Sequence, residues 1–114
     1  MGFVKVAKTS QLESGWVIEV QVKGKPYAIC NVDGEIHALA GECPCTGGPL
    51  GFGRIQDGLL VCPWHGWRYD HRTGVMEYDD SICIPTYPVK VVGRDIYVDC
   101  GAASHGGEPV VGSA

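Results

Sequence analysis

Apolar and polar residues alternate along this chain in short runs, and glycine or proline interrupts each run before it grows long. Alternation with period two is the mark of a strand with one face buried. It begins in Phe3-Val4-Lys5-Val6-Ala7-Lys8 and returns after Gly15 in Trp16–Val22. Gly24-Lys25-Pro26 turns the chain into Tyr27-Ala28-Ile29-Cys30-Asn31-Val32. Asp33-Gly34, a strong hairpin signal, then pairs that run with Glu35–Leu39. A second hairpin is expected around Asp57-Gly58, joining Gly53–Gln56 to Leu59–Cys62. Trp67–Asp70 reads as a strand that Arg72-Thr73-Gly74 turns back into a further strand, Val75–Tyr78. Asp79–Tyr87 contains Pro85 and reads as a loop. Pro88–Val92 and Ile96–Asp99 close a last hairpin around Gly93-Arg94-Asp95. Nowhere does a 3.6-residue period persist for three turns, so the expected class is all-β. From Gly101 the chain becomes GAASHGGEPVVGSA, small residues with nothing to bury. The expectation is one domain over 1–100 and a flexible tail over 101–114.

Composition narrows the class of protein. A length of 114 residues suits one core. The formal net charge of −4 lacks the basic footprint of a nucleic-acid binder. No apolar run approaches the roughly 18 residues of a membrane span. The N-terminal stretch has neither the apolar core nor the small-residue cleavage site of a signal peptide, which points to the cytoplasm. There disulfides are rare, and six cysteines are more readily explained by metal.

The chemistry concentrates in Glu42–Gly66. Cys43-Pro44-Cys45 and Cys62-Pro63-Trp64-His65 are two tight pairs of ligand-type residues, separated by sixteen residues with the Asp57-Gly58 turn near the middle. Thiolate and neutral imidazole are the side chains that best bind zinc and iron. A spacer of one or two residues puts two donors on one loop, and two such loops flanking a hairpin make a four-donor site: Cys43, Cys45, Cys62 and His65. Outside it, Cys30 alternates with apolar strand residues and reads as a buried thiol. Cys83 and Cys100 read as free thiols, with a bridge between them left open. His37, His71 and His105 read as solvated histidines.

The stretch resembles the Rieske-type 2Fe–2S ferredoxins of bacterial oxygenase systems, whose pattern is Cys-x-His, a spacer of this order, then Cys-x-x-His. Cys62-Pro63-Trp64-His65-Gly66-Trp67, with Tyr69-Asp70 and Thr73-Gly74 after it, carries the second half, and Gly47-Gly48-Pro49-Leu50 looks like the first loop. The resemblance runs from about Val17 to Asp99. It implies an antiparallel β-sandwich with a small cluster-binding subdomain of two loops, about 41–68. Carried over residue by residue, Cys43 and Cys62 would hold one iron and His65 one side of the other. The sequence departs from the pattern at one place, where Cys45 stands for the first histidine. Three outcomes stay open: a Cys3His 2Fe–2S cluster, a cluster that fails to form, or a single zinc or iron ion held by the same four residues.

The resemblance also implies a cluster environment. Gly47, Gly48, Gly51 and Gly53 would either offer backbone N–H groups to bridging sulfides or serve as ordinary turn glycines. Pro44, Leu50, Pro63 and Trp64, with Pro49 beside them, would shield one side, leaving His65 near the surface. Tyr69 is placed either as a donor to a cluster cysteine or as a plain core tyrosine. Its implied function is a one-electron carrier between a flavin reductase and a terminal oxygenase, with transient partners, no membrane and no catalysis of its own. Two alternatives are a zinc- or iron-stabilised binding module and a small subunit of a larger reductase, such as a nitrite reductase.

Overall fold

A computed structural model describes residues 2–44, 47–79 and 81–103. Ten strands are found: β1 (Val4–Lys8), β2 (Val17–Val22), β3 (Lys25–Val32), β4 (Glu35–Ala40), β5 (Arg54–Gln56), β6 (Leu59–Val61), β7 (Arg68–Asp70), β8 (Thr86–Tyr87), β9 (Val89–Val92) and β10 (Asp95–Val98). Among the described residues, helix is limited to two single 3-10 turns, Thr9–Gln11 and Leu50–Phe52. The all-β expectation holds. The strands make three antiparallel sheets in the orders β1-β10-β9, β2-β3-β4-β8 and β5-β6-β7.

The four-stranded sheet lies between the other two because its middle strands are apolar on both faces. Along β3, Tyr27 and Ile29 enter one core, packed with Ala38 of β4 and with Ile96 and Val98 of β10. Ala28, Cys30 and Val32 enter the opposite core with Leu39, Leu50, Leu60, Cys43, Cys62 and Tyr69. This double burial explains why residues 27–32 read as a nearly continuous apolar run rather than a clean alternation. The second core is the one that carries the cysteines.

Local turn chemistry sets the register. Asp33-Gly34 and Asp57-Gly58 both have positive φ at their two residues, 53° and 92° in the first and 53° and 75° in the second, as a type I′ hairpin turn requires. Cys30 therefore faces His37, and Val32 faces Glu35. The turn expected at Gly24-Lys25-Pro26 is in fact Lys23-Gly24, again with both φ values positive. Lys25 and Pro26 already belong to β3, and Pro26, paired with Gln21, accepts the Gly41 amide through its carbonyl at 3.1 Å.

Two other expectations change. Val75–Tyr78 is no strand. It makes isolated bridges only, Tyr69 with Met76 and Val75 with Cys83, because the segment folds back on itself. Ile84 donates to the Gly74 carbonyl at 2.8 Å and Met76 to that of Ile82 at 2.9 Å. The loop expected at 79–87 ends in β8, which adds Thr86 and Tyr87 to the edge of β4. Of the expected tail, Gly101 and Ala102 hydrogen-bond to Asp99 and extend the order past β10. Residues 104–114, His105 among them, lie outside the described residues. Among the described residues no helix is long and apolar enough to cross a membrane.

Candidate metal centre

The two cysteine loops are held by the same backbone turn. In the first, between β4 and β5, the Cys43 carbonyl accepts the Gly47 amide at 2.9 Å, and the Cys43 amide donates to the Gly48 carbonyl at 2.8 Å. In the second, between β6 and β7, the Cys62 carbonyl accepts the Gly66 amide at 3.0 Å, and the Cys62 amide donates to the Trp67 carbonyl at 2.8 Å. Gly47 and Gly66 occupy equivalent left-handed positions, with φ of 84° and 73°. The sequence signal behind this is Cys-Pro-x-x-Gly, present at 43–47 and again at 62–66. Reading the ligand spacings alone passes over it, because the donors fall at different places within the repeat.

The turns leave both sulfurs inside the protein. Cys43 and Cys62 are 1% and 0% exposed and pack with Leu50, Leu60, Tyr69, Met76 and Ile84. Pro63, Trp64 and His65 stand outside, as does Pro44. The loops meet at Gly48, where an added Cβ would lie 2.8 Å from Cys62 Sγ and 3.3 Å from Trp64 Cγ. A glycine is required for that approach. Below the loops, Tyr69 on β7 is fully buried, and its hydroxyl is 3.0 Å from Cys43 Sγ. Tyr69 is thus both a core residue and a hydrogen-bond partner of a site cysteine.

Other placements differ from the expectations. The amides of Gly47 and Gly53 are engaged, with the carbonyls of Cys43 and Leu50, and so are turn donors rather than open ones. Gly51 and Gly53 serve packing, since a Cβ at Gly51 would lie 2.4 Å from Glu19 Cβ and one at Gly53 would lie 2.0 Å from the Val61 carbonyl oxygen. Leu50 lies beneath the site in the core, Pro49 is partly buried, and Pro63 and Trp64 are surface residues. Of the four expected donors, Cys43 and Cys62 share one core, His65 is exposed on the second loop three residues after Cys62, and Cys45 lies outside the described residues. Cys30 is buried as expected, and burial pushes its thiol up to about 12. Cys83 and Cys100 are free.

The Rieske [2Fe-2S] domain pattern matches residues 2–88. The chain belongs to the Rieske family. Full-length likenesses accompany the match. This Rieske chain is 32% identical over 107 residues to the biphenyl dioxygenase ferredoxin subunit of a Pseudomonas species, covering 91% of the chain and 97% of that protein. It is 32% identical over 95 residues to the ferredoxin component of the naphthalene 1,2-dioxygenase system of Pseudomonas aeruginosa, covering 78% and 86%. Longer proteins match as well. Human apoptosis-inducing factor 3 is 32% identical over 94 residues, of which the chain spans only 16% of the length. Among solved structures, the ferredoxin of carbazole 1,9a-dioxygenase from Nocardioides aromaticivorans superposes with a TM-score of 0.77 at 26% identity, covering 86% of this chain and 97% of that one. A nitrite reductase small subunit from Mycobacterium tuberculosis, at 21% identity and a TM-score of 0.78, shares the fold.

The residues present fit the 2Fe–2S cluster that the Rieske family implies. Two thiols are withdrawn from water at the tips of matched turns, one of them hydrogen-bonded by a buried hydroxyl. The cradle beside Cys62 is closed to any side chain at Gly48, and an imidazole stands at the exposed rim.

Proposed function

We propose that this chain is a one-electron carrier, the ferredoxin component of an oxygenase system. It takes electrons from a flavin reductase and delivers them to a terminal oxygenase. The observation that carries this reading is the pair of matched turns that buries Cys43 and Cys62 while leaving His65 and Trp64 on the surface. Support comes from relatives of the same length that are ferredoxin components of dioxygenase systems. A 2Fe–2S cluster bound here supplies reversible one-electron storage.

The chain's own residues do the rest. Cys43 and Cys62 would hold one iron and His65 the other, with Cys45 as the fourth ligand in a Cys3His set. The Tyr69 hydroxyl donates to the Cys43 thiolate and so tempers its charge. Leu50, Leu60, Met76 and Ile84 keep water from the sulfurs. His65 and Trp64 let a partner approach to contact, and exchange with two partners in turn asks for a small transient interface. The unit that does this is residues 1–100, working in the cytoplasm. Its cluster-binding part is 41–68, and Tyr69, Met76 and Ile84 beyond it share the core of the cysteines.

A third thiolate makes the ligand set more negative by one charge than two cysteines and two histidines do. Added negative charge disfavours an incoming electron. The potential is expected below the usual Rieske range of about −150 to +300 mV, towards the roughly −400 mV of all-cysteine plant-type clusters. Iron, sulfide and zinc counts on the purified protein, with an electron paramagnetic resonance spectrum after reduction, test the reading. Two irons and two labile sulfides per chain, with a reduced-cluster signal, are expected. One zinc or one iron without sulfide would replace the carrier with a metal-stabilised binding module.

A further inference from the structure

At the end of β4 remote from the cysteine loop, three side chains from two sheets converge. Glu35 and His37 project from the start of β4, and His71 follows β7 of the small sheet. One donor atom from each of Glu35, His37 and His71 lies within 4.8 Å of the others. His71 is not the solvated histidine its sequence setting suggests. It is 6% exposed, and its Nδ1 lies 2.8 Å from the Gly58 carbonyl oxygen in the β5–β6 turn. A carbonyl only accepts, so Nδ1 carries the hydrogen and the neutral ring presents its lone pair at Nε2. That buried Nε2 has no hydrogen-bond partner. Buried polar atoms are nearly always satisfied, and one that is not calls for an explanation.

We propose that Glu35, His37 and His71 form a binding site for a late first-row divalent cation, Zn²⁺ being the ion it suits best. The site would tie the cysteine-bearing sheet to the central one. Two imidazoles and a carboxylate are the borderline donors that Zn²⁺ takes, with water in a fourth position. A histidine ligand commonly donates its other ring N–H to a carbonyl, which fixes the tautomer and the ring, and the His71–Gly58 bond does this. Tetrahedral donors at bonds of about 2.0 Å sit about 3.3 Å apart. His37 Nε2 and Glu35 Oε1 are already 3.2 Å apart. The exposed Glu35 and partly buried His37 are the side chains able to swing in towards His71, which is fixed.

Ring packing alone does not account for the arrangement. The edge-on contact of His37 with His71, with centroids 4.6 Å apart at 66°, and the Glu35–His37 hydrogen bond satisfy His37. Neither gives His71 Nε2 a partner. Reversing the tautomer would set a lone pair against the Gly58 oxygen, and a doubly protonated ring would still leave an unpaired N–H.

The test is titration of the untagged protein, its cluster assembled, with zinc chloride at neutral pH by isothermal calorimetry, followed by zinc and iron counts after dialysis. One Zn²⁺ per chain with unchanged iron is expected. Glu35→Gln and His37→Asn should each weaken binding by about tenfold or more while leaving the visible cluster spectrum unaltered. His71→Asn should do the same, and if it fails to fold the two β4 variants still decide. Zinc affinity that survives Glu35→Gln and His37→Asn, zinc uptake at the expense of iron, loss of binding in His105→Ala, or no saturable heat would each overturn the site.

Discussion

The loops at Cys43 and Cys62 are one turn built twice and filled differently. Each begins Cys-Pro, closes with the fifth-residue amide on the cysteine carbonyl, and places a left-handed glycine at that fifth residue. They part at two positions. The proposed second donor of the pair is Cys45 in the first loop, two residues after its cysteine in the sequence. In the second loop it is His65, three residues after. The residue closing the turn is Gly48 in one loop and Trp67 in the other. Backbone geometry is thus shared and the chemistry is carried by side chains laid over it. One loop can change its donor without rebuilding its turn.

Filling the closing position of the first loop is the harshest way to break this equivalence. Trp67 shows that the turn itself tolerates the largest side chain there. Gly48 is glycine because the other loop's sulfur lies where its Cβ would go. Gly48→Val is expected to cost about 2–3 kcal/mol of stability and to abolish iron incorporation. Urea unfolding and an iron count check this. A variant that still binds two irons would show that the loops do not meet tightly at Gly48.

Making the two donor sets alike is the next largest change. Cys45→His gives two cysteines and two histidines and removes one negative charge from the ligand set. The potential measured by voltammetry should rise by about 150 mV or more. An unmoved potential would mean that Cys45 is not a ligand.

Much of this frame was open to a reader of the sequence, wherever local chemistry decided it. Asp33-Gly34 and Asp57-Gly58 fix two hairpins and hence the placement of the β5–β6 turn between the loops. Alternation placed β2 to β4 and the closing β9–β10 hairpin. The pairing of β1 with β10 joins residues more than eighty apart, and no local pattern announces it. Val75–Tyr78 has strand-like alternation, yet Gly74 leaves no room for a second strand. A Cβ there would lie 2.0 Å from the Ile84 carbonyl oxygen, so Val75 and Met76 close on Ile82–Ile84 instead. At the site, spacing and the family resemblance point to Cys43, Cys45, Cys62 and His65; Cys43 and Cys62 are buried in one core, His65 is exposed, and Cys45 lies outside the described residues. The burial of His71 depends on the Gly58 turn packing over it from another strand, and a histidine after a strand looks the same whether it is covered or not.

Cys30 sharpens the contrast from outside the loops. It is as buried as Cys62, but it sits mid-strand with no turn to present it. Burial pushes its thiol up to about 12, from an ordinary value of 9.0. A raised folded-state pKa means that the folded protein holds this proton more tightly than the unfolded chain. Its stabilising contribution is whole below about pH 9 and is lost as pH rises towards 12, at about 1.4 kcal/mol per pH unit. Burial and the neighbouring Cys100 push the Tyr27 phenol up to about 12 as well, so total alkaline slopes mix the two. The difference between wild type and Cys30→Val, followed by urea unfolding from pH 8 to 11, isolates the thiol. Equal slopes in the two proteins would remove the assigned shift.

The finest test asks whether the two turns are equal in energy as well as in shape. Gly47 and Gly66 have left-handed φ values, 84° and 73°, and nothing within 4 Å of an added Cβ in either case. Gly47→Ala and Gly66→Ala therefore create the same strain without a clash, and each should cost about 1 kcal/mol of stability. Equal shifts in the urea midpoint with iron content retained would make the loops energetic as well as geometric copies. A much larger loss at Gly47 would place an added constraint in the first loop, where Cys45 follows its cysteine by one residue fewer than His65 follows Cys62. The shorter reach of that donor would then be borne by the turn, and the Cys45→His variant, with its longer side chain, should relieve it.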